Sequence, residues 1–236
     1  MWYIYTTGSG SNYPIEIGYR AVGAGDVVHD YEFITSLCKS GCRSYNSGGC
    51  PPWAPRFEDI EACYPYGILV YAKFLSRFSP LKPGYVKKID MLFSFQDMIL
   101  SKLLTQLGYV VTDKCAENIL FLNNGHCRGC GIQECSFKLG ESYCRYPERR
   151  TYSIGATGVD VSSTLKNVFG IELQWYTEDT YERVEYITKM VGFFCQQFRM
   201  QNQVLDSIVN CLNALKSTKF KIGSDGYRML VRQLLA

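Results

Sequence analysis

A buried β-strand is predicted by Gly67-Ile68-Leu69-Val70-Tyr71-Ala72-Lys73-Phe74, a run in which apolar, β-branched and aromatic residues follow one another almost without interruption. Before it, residues 15–19 alternate between apolar and polar side chains and predict a short strand, and residues 57–63 predict a short acidic helix. After it, apolar residues at helical spacing predict a helix over residues 85–107. Gly108 is expected to end this helix.

Strands and helices alternate further along the chain. Residues 118–122 predict a second apolar strand, residues 161–169 predict a helix and residues 171–176 predict a third strand. This order predicts an α/β (or α+β) fold, in which right-handed crossover helices cover a small sheet. Two cysteine-rich, metal-binding loops are expected to extend from the strand ends.

The C-terminal part of the sequence has apolar residues at helical spacing. One stripe contains Tyr181, Val184, Ile187, Val191, Phe194 and Phe198, and another contains Val204, Ile208, Leu212 and Leu215. We therefore predict a helical C-terminal region at residues 178–236, following a metal-binding α/β domain at residues 1–177. These helices could pack on the chain's own core or form the interface of a homodimer.

The composition is that of a globular protein. The chain has 236 residues, of which 47% are hydrophobic, so it can bury a sizeable core without the help of disulfides. A formal net charge of +3, spread over both signs, gives no basic face of the kind that nucleic-acid binders carry. Because we find neither a secretion signal nor an apolar stretch that could span a membrane, we expect a cytoplasmic protein.

Eleven cysteines are the main chemical feature of the sequence. Thiols stay reduced in the cytosol, where clustered cysteines are usually metal ligands or redox catalysts, and an odd number fits a disulfide framework poorly. The first constellation has three thiols within thirteen residues, with glycines before the last of them and two prolines after it. Its members are Cys38, Cys42 and Cys50. Three thiolates in such a loop can bind three corners of a cubane.

The second constellation has four thiols within eighteen residues, again with glycines between them, at Cys127, Cys130, Cys135 and Cys144. It resembles ferredoxin ligand runs without reproducing their usual spacing, and we expect one or two [4Fe-4S] clusters in the protein. Zinc is the alternative, because four thiolates also form a tetrahedral zinc site. Zinc ribbons normally have two CxxC pairs, whereas this sequence has one.

The remaining candidates lie near the constellations or apart from them. Cys63 could be a fourth ligand of the first site, and His126 could bind a cluster or lie on the surface beside it. The other cysteines have apolar or helical surroundings that are typical of buried structural thiols; they are Cys115, Cys195 and Cys211.

The cysteine segments resemble those of the predicted metal-binding protein family, domain of unknown function 2284. The matching segments are Cys38-x3-Cys42-x2-Tyr45-x4-Cys50-Pro51-Pro52, Gly125-x-Cys127-x2-Cys130, and Cys144-Arg145-Tyr146-Pro147-Glu148 with the run Ser153-Ile154-Gly155-Ala156-Thr157-Gly158-Val159-Asp160-Val161. The resemblance covers roughly residues 30–175. It implies metal binding, with iron–sulfur as the metal group, and names no reaction.

The functional expectation is an enzyme in which Cys38, Cys42 and Cys50 hold a cluster that has one open iron. Tyr45 and Arg145 are expected to face the substrate, a small anionic or sulfur-containing molecule in redox or sulfur-transfer chemistry. Trp53, Arg149 and Arg150 are further candidates, although the arginines could instead offset the negative charge of a cluster. The alternatives are a two-cluster, ferredoxin-like electron carrier that serves a redox partner protein, and a zinc-binding interaction module.

Overall fold

A six-stranded mixed sheet with helices on both faces forms the fold. The computed structural model describes residues 1–80, 89–115 and 119–214, together with Met229 and Arg232. The strands are β1 (Trp2–Thr6), β2 (Asn12–Gly23), β3 (Tyr66–Leu75), β4 (Ile119–Asn123), β5 (Tyr152–Ser153) and β6 (Tyr186–Cys195). Within the described ranges the α-helices are α1 (Tyr31–Gly41), α2 (Phe57–Cys63), α3 (Ile89–Cys115), α4 (Val161–Phe169) and α5 (Phe198–Ala214). The predicted mixed α/β class is therefore confirmed.

The strands lie side by side in the order β1-β2-β3-β6-β4-β5. All neighbouring pairs are antiparallel except β4 and β5, which are parallel. Because β3 and β4 both run antiparallel to β6, they run in the same direction as each other, and α3 connects them over one face of the sheet. The predicted crossover helix is thus present, but β6 separates the two strands that it joins.

Alternation along the central strands creates two apolar layers. On β3, Ile68, Val70 and Phe74 face the layer covered by α3 and α5. Leu69 points to the opposite face, where it meets residues of α2 and α4 such as Phe57. The central strand β3 thus packs against helices on both sides, as expected for a strand buried on both faces.

Local sequence signals define the ends of two helices near the cysteine loops. Asp30 caps α1 by accepting a hydrogen bond from the backbone N–H of Phe33, and Asp160 caps α4 in the same way. Gly170 ends α4 in the left-handed conformation, with φ of 69°. The short helices predicted at residues 57–63 and 161–169 are both present.

The predicted helical stripe at residues 181–198 is wrong, because Tyr186–Cys195 forms strand β6 in the middle of the sheet. This strand is buried on both faces, so its apolar residues are almost continuous and fit a helical stripe equally well. The helix predicted beyond it is present as α5, and Leu215 lies outside the described residues. The boundary at residues 177/178 stays a prediction, but the strand beyond it pairs with both β3 and β4.

Two smaller predictions also differ from the structure. Residues 171–176 form no strand; Ile171 instead packs into the core layer beside α4. Gly108 does not end α3, which continues to Cys115. The other predicted strands correspond to β2, β3 and β4, and residues 85–88 of the predicted long helix lie outside the described residues. None of the helices that the structure describes is long and apolar enough to cross a membrane.

Candidate metal centre

The first cysteine segment begins in a helix rather than in a loop at a strand end. Cys38 lies in the last turn of α1, and the backbone N–H of Cys42 donates to its carbonyl oxygen at 3.0 Å. Asn46 then takes a positive φ of 68°, which turns the chain back on itself. This turn brings Cys50 inward, where it is 5% exposed, whereas Cys42 is exposed.

The second cysteine segment follows β4 and returns to the sheet at β5. Two backbone N–H groups donate to the Sγ of Cys127, that of Gly129 at 3.3 Å and that of Thr151 at 3.4 Å. Gly129 needs its missing side chain, because a Cβ there would lie 2.7 Å from the carbonyl oxygen of Arg149. The end of the segment is thus packed against its beginning.

The two cysteine segments contact each other although about eighty residues separate them in sequence. The backbone N–H of Gly48 donates to the Sγ of Cys135 at 3.2 Å. At the next residue, the carbonyl oxygen of Gly49 accepts a hydrogen bond from the N–H of Ser153 in β5, at 2.8 Å. A Cβ on Gly49 would lie 2.8 Å from the Cβ of Cys127. The first segment therefore packs against the second at Gly48 and Gly49, where the absence of side chains lets the two backbones approach closely.

Arg150 holds this contact together. Its Nε donates to the carbonyl oxygen of Gly48 at 2.7 Å, and one terminal nitrogen donates to that of Trp53 at 2.9 Å. The guanidinium also lies 4.9 Å from the ring centroid of Phe137 and 5.0 Å from that of Tyr152. Arg150 therefore acts as a structural clamp between the segments, with geometry that a lysine cannot reproduce.

The thiols of the first segment influence one another electrostatically. Burial raises the pKa of Cys50 to about 11, the charges of Cys42, Cys38 and Cys127 raise it as well, and a hydrogen bond with Ser47 acts in the opposite direction. These thiols must lose their protons to bind a metal, so metal binding would release protons.

The thiols of the second segment also influence one another electrostatically. Burial, and then the charges of Cys135, Cys144 and Cys127, raise the pKa of Cys130. Cys127 thus affects a thiol in each segment, since it also raises the pKa of Cys50. Its Cβ also lies beside Gly49 of the first segment.

All four cysteines of the second constellation line one cavity of about 190 Å³. Its wall also contains Gly48, His126 and three cationic side chains, those of Arg128, Lys138 and Arg150. Burial, and then the charges of Arg128, Lys138 and Lys189, lower the pKa of His126. Glu134 is the one carboxylate among the described lining residues, so the cavity combines thiol ligands with a net positive wall that suits a negatively charged group.

A second, larger cavity of about 980 Å³ adjoins the first. The two share part of their walls, including Cys130 and Arg128. Residues of α3 and β4, such as Tyr109 and Phe121, form the far side of the larger cavity. A small molecule bound there would lie next to the cysteine-lined cavity.

The chemistry of the donors fits a thiolate-bound metal group. All eleven cysteines are free thiols. The backbone N–H groups of Gly48 and Gly129 already donate to cysteine sulfurs, as they do around iron–sulfur clusters. Among the described residues, however, no three His, Cys, Asp or Glu side chains form a group that could hold a metal ion.

Several predicted residues have other roles or lie elsewhere. Arg145 is paired with Glu141 at 2.6 Å, and the hydrogen bond from this arginine lowers the pKa of the carboxyl group. Tyr45 is half-buried in the first segment. Cys63 is exposed at the end of α2.

The three cysteines predicted to be structural lie in or beside the core. Cys195 and Cys211 are both 2% exposed. Cys115, at the end of α3, donates to the hydroxyl of Ser207 at 3.2 Å. These positions agree with the behaviour of cysteine as a small apolar residue.

Sequence reasoning missed the residues that join the two segments. From the sequence, Gly48 is only one of the glycines before Cys50, Phe137 carries no signal, and Arg150 is a candidate for binding substrate or offsetting cluster charge. The signal for their roles lies in contacts between positions about ninety to one hundred residues apart, which no local spacing reveals.

The fold and the two packed cysteine segments define a mixed α/β protein with a thiol-rich candidate metal centre. The chain belongs to the predicted metal-binding protein family (DUF2284), whose model matches residues 20–191, more than half of the chain. The resemblance found in the cysteine segments is thus confirmed. The family description specifies metal binding and no particular metal. No curated protein and no solved structure matches this chain.

Proposed function

We propose that the protein is an iron–sulfur enzyme that acts on a small anionic molecule by redox or sulfur-handling chemistry. The observation that supports this proposal is the cavity of about 190 Å³ lined by all four cysteines of the second constellation. Cys127, Cys130, Cys135 and Cys144 would hold a [4Fe-4S] cluster there. The adjoining larger cavity would receive the substrate.

The size of the cavity favours a cluster over a single zinc ion. A space of about 10–15 Å³ suffices for one water molecule, so a cavity of about 190 Å³ has room for a group of several atoms. A structural zinc site instead draws four thiolates around one ion at about 2.3 Å. Among the described residues the cysteines form no group of three that could hold a metal ion, so the preference for a cluster over zinc rests on the cavity volume.

The residues around the cavity have separable tasks in this proposal. Gly48 and Gly129 would donate backbone hydrogen bonds to the ligand sulfurs, which stabilises their negative charge. Arg128 and Lys138 would offset the charge of the cluster. When bound, this four-thiolate cluster would supply single-electron chemistry, and the chain's own groups would bind and orient the substrate.

The first constellation would hold a second cluster through Cys38, Cys42 and Cys50, leaving one corner for a non-protein ligand. The exposure of Cys42 is consistent with a corner that substrate can reach. Tyr45 stays a candidate substrate-facing residue, whereas Arg145 would act chiefly through its pair with Glu141. The proposal also assumes the cytosol, where reducing conditions keep such thiols free.

A two-cluster electron carrier is the second candidate. The packing of Cys127 against Gly49 of the first segment favours it, because this contact would bring the two clusters close to each other. A redox partner protein would then take the place of the substrate. A homodimer formed through the C-terminal helices stays a prediction.

Anaerobic purification followed by iron, zinc and acid-labile sulfide analysis tests the proposal. We expect brown protein that contains iron and sulfide. Cys50→Ala should remove part of the iron and leave the cluster of the second constellation, whereas Cys63→Ala should leave the iron content unchanged. Zinc in stoichiometric amount without labile sulfide would contradict the proposal.

A further inference from the structure

The larger cavity has both an apolar wall and a charged wall. Ile119 and Phe121 of β4 contribute to the apolar wall, and Tyr109 of α3 lies nearby with its hydroxyl donating to the carbonyl oxygen of Arg149 at 3.1 Å. Cys130 lines the place where this cavity meets the smaller one. The volume of about 980 Å³ is in the range of small-molecule sites, and the lining mixes a few apolar residues with many polar and charged ones.

The arginines near the cavity differ in what they bind. The guanidinium group of Arg145 donates a hydrogen bond to Glu141. That of Arg150 donates to two backbone carbonyl oxygens. The guanidinium groups of Arg128 and Arg149 make no hydrogen bond or ion pair with any residue that the structure describes, and both side chains are exposed where they line the cavity. Two cationic groups are therefore available to a ligand.

The charge of the lining limits what the ligand can be. Three arginines line the cavity together with two carboxylates, Asp113 and Glu148, which leaves a net charge of only +1. A polyphosphate would meet these carboxylates as well as the arginines, and like charges repel. A molecule with one anionic group is therefore favoured over a polyanion.

We propose that this cavity binds a small organic anion, with its anionic group on Arg149 and Arg128 and its apolar body against Ile119 and Phe121. The inference rests on the proposed function for the reaction that would follow, because the bound molecule would end beside Cys130. Binding itself needs only the cavity and the two arginines. Arg149 would contribute a charge-assisted hydrogen bond, the stronger kind in proteins.

Calorimetric titration of the anaerobically purified protein with benzoate and with benzamide tests this site, because these two probes have nearly the same shape and differ in charge. We expect saturable benzoate binding and at least about tenfold weaker benzamide binding. Arg149→Gln and Arg128→Gln should each weaken benzoate binding at least about tenfold, or about 1.4 kcal/mol, because each removes a charge-assisted hydrogen bond. Arg149→Lys should retain more affinity than Arg149→Gln.

Arg183→Gln is the matched control, because Arg183 is an exposed arginine that bonds only the backbone of Asp179 in the described structure and does not line the cavity. Absence of saturable benzoate binding, equal binding of benzamide, or equal losses in Arg183→Gln and Arg149→Gln would overturn the inference. Iron and sulfide are measured in each sample. Benzoate binding to protein without iron and sulfide would contradict the proposed function and support the site.

Discussion

The backbone N–H of Gly48 donates a hydrogen bond to the Sγ of Cys135 at 3.2 Å, although 87 positions separate the two residues in sequence. The approach is possible because Gly48 has no side chain: a Cβ there would lie 2.6 Å from Cδ2 of Phe137. Phe137 in turn packs against Trp53, with ring centroids 4.7 Å apart. The position of one cysteine sulfur thus depends on a glycine in the other cysteine segment.

Gly48→Ala should separate the two segments. The new methyl group overlaps the ring of Phe137, and overpacking of this kind costs about 1–3 kcal/mol. We expect a lower free energy of unfolding in urea and less metal bound per chain after anaerobic purification. Gly125→Ala is the control, because a Cβ at Gly125 has nothing within 4 Å. Equal effects of the two substitutions would contradict the role of the Gly48 contact.

Arg150→Lys should weaken the same contact without removing the charge. A lysine ammonium cannot donate to the carbonyl oxygens of Gly48 and Trp53 in one fixed geometry while it stacks on an aromatic ring. Since the side chain is partly exposed, we expect a loss of about 1 kcal/mol in the free energy of unfolding. Chemical denaturation of Arg150→Lys and Arg183→Lys, compared with wild type, measures this loss. Unchanged stability in Arg150→Lys would indicate that charge alone matters at this position.

Cys127→Ala should lower the metal content more than loss of a cysteine that belongs to one constellation only. The side chain of Cys127 packs against Gly49 of the first segment, where an added Cβ would lie 2.8 Å from the Cβ of Cys127. We expect Cys127→Ala to reduce iron associated with both constellations and Cys144→Ala to reduce iron from the second alone. Iron per chain and the electron paramagnetic resonance spectrum of each reduced variant measure this. Identical iron losses in the two variants would show that Cys127 serves one site only.

The sequence predicts the parts of the fold and of the site that depend on local pattern. The strand at residues 67–74 is an example, because its β-branched and aromatic content distinguishes it from a helix. The sequence does not predict β6, because its nearly continuous apolar residues also fit the stripe of a helix. A chain that ends near residue 177 would lack this strand and leave β3 and β4 without their shared partner.

In the candidate site, too, some features depend on local sequence pattern and others on the whole fold. Cysteine spacing within each segment is local, so both constellations could be proposed from the sequence. The contact between the segments involves Gly48, Phe137 and Arg150, whose proximity is a result of the whole fold. Arg145 looked available to substrate, but its partner Glu141 is only four residues away and an i, i+4 ion pair could have been anticipated.

The stability of the protein at alkaline pH should depend on Tyr71. Its hydroxyl donates to Glu16 at 2.8 Å, and Glu16 also pairs with Lys73 at 2.7 Å. Burial, and then the hydrogen bond and charge of Glu16, raise the pKa of Tyr71 above its usual value of about 10. Above pH of about 10 the unfolded chain therefore loses the tyrosine proton more readily than the folded chain does, and stability falls as pH rises.

Tyr71→Phe removes this titration. At neutral pH we expect the variant to be less stable by about 0.5–1.5 kcal/mol, the contribution of one hydrogen bond. As the pH rises above about 10, the free energies of unfolding of wild type and variant should converge, because only wild type loses the stabilisation by the Tyr71–Glu16 hydrogen bond. Tyr19→Phe, at an exposed position of β2, is the control. A difference that stays constant across this pH range would contradict the raised pKa of Tyr71.

Gly108→Ala should destabilise the protein although alanine is the better helix former. In the interior of α3 the exchange would normally gain about 1 kcal/mol. Here the new Cβ would lie 1.9 Å from Cζ of Phe121, which is 4% exposed and stacks on Phe193 with centroids 5.1 Å apart, so the ring cannot move away. Because so severe an overlap costs at least as much as the 1–3 kcal/mol typical of overpacking, we expect a net loss of about 1–2 kcal/mol in urea denaturation. In a Phe121→Leu background, where the clash is absent, Gly108→Ala should instead be neutral or stabilising. A stabilising Gly108→Ala in the wild-type background would show that the helix can shift away from the sheet at this point.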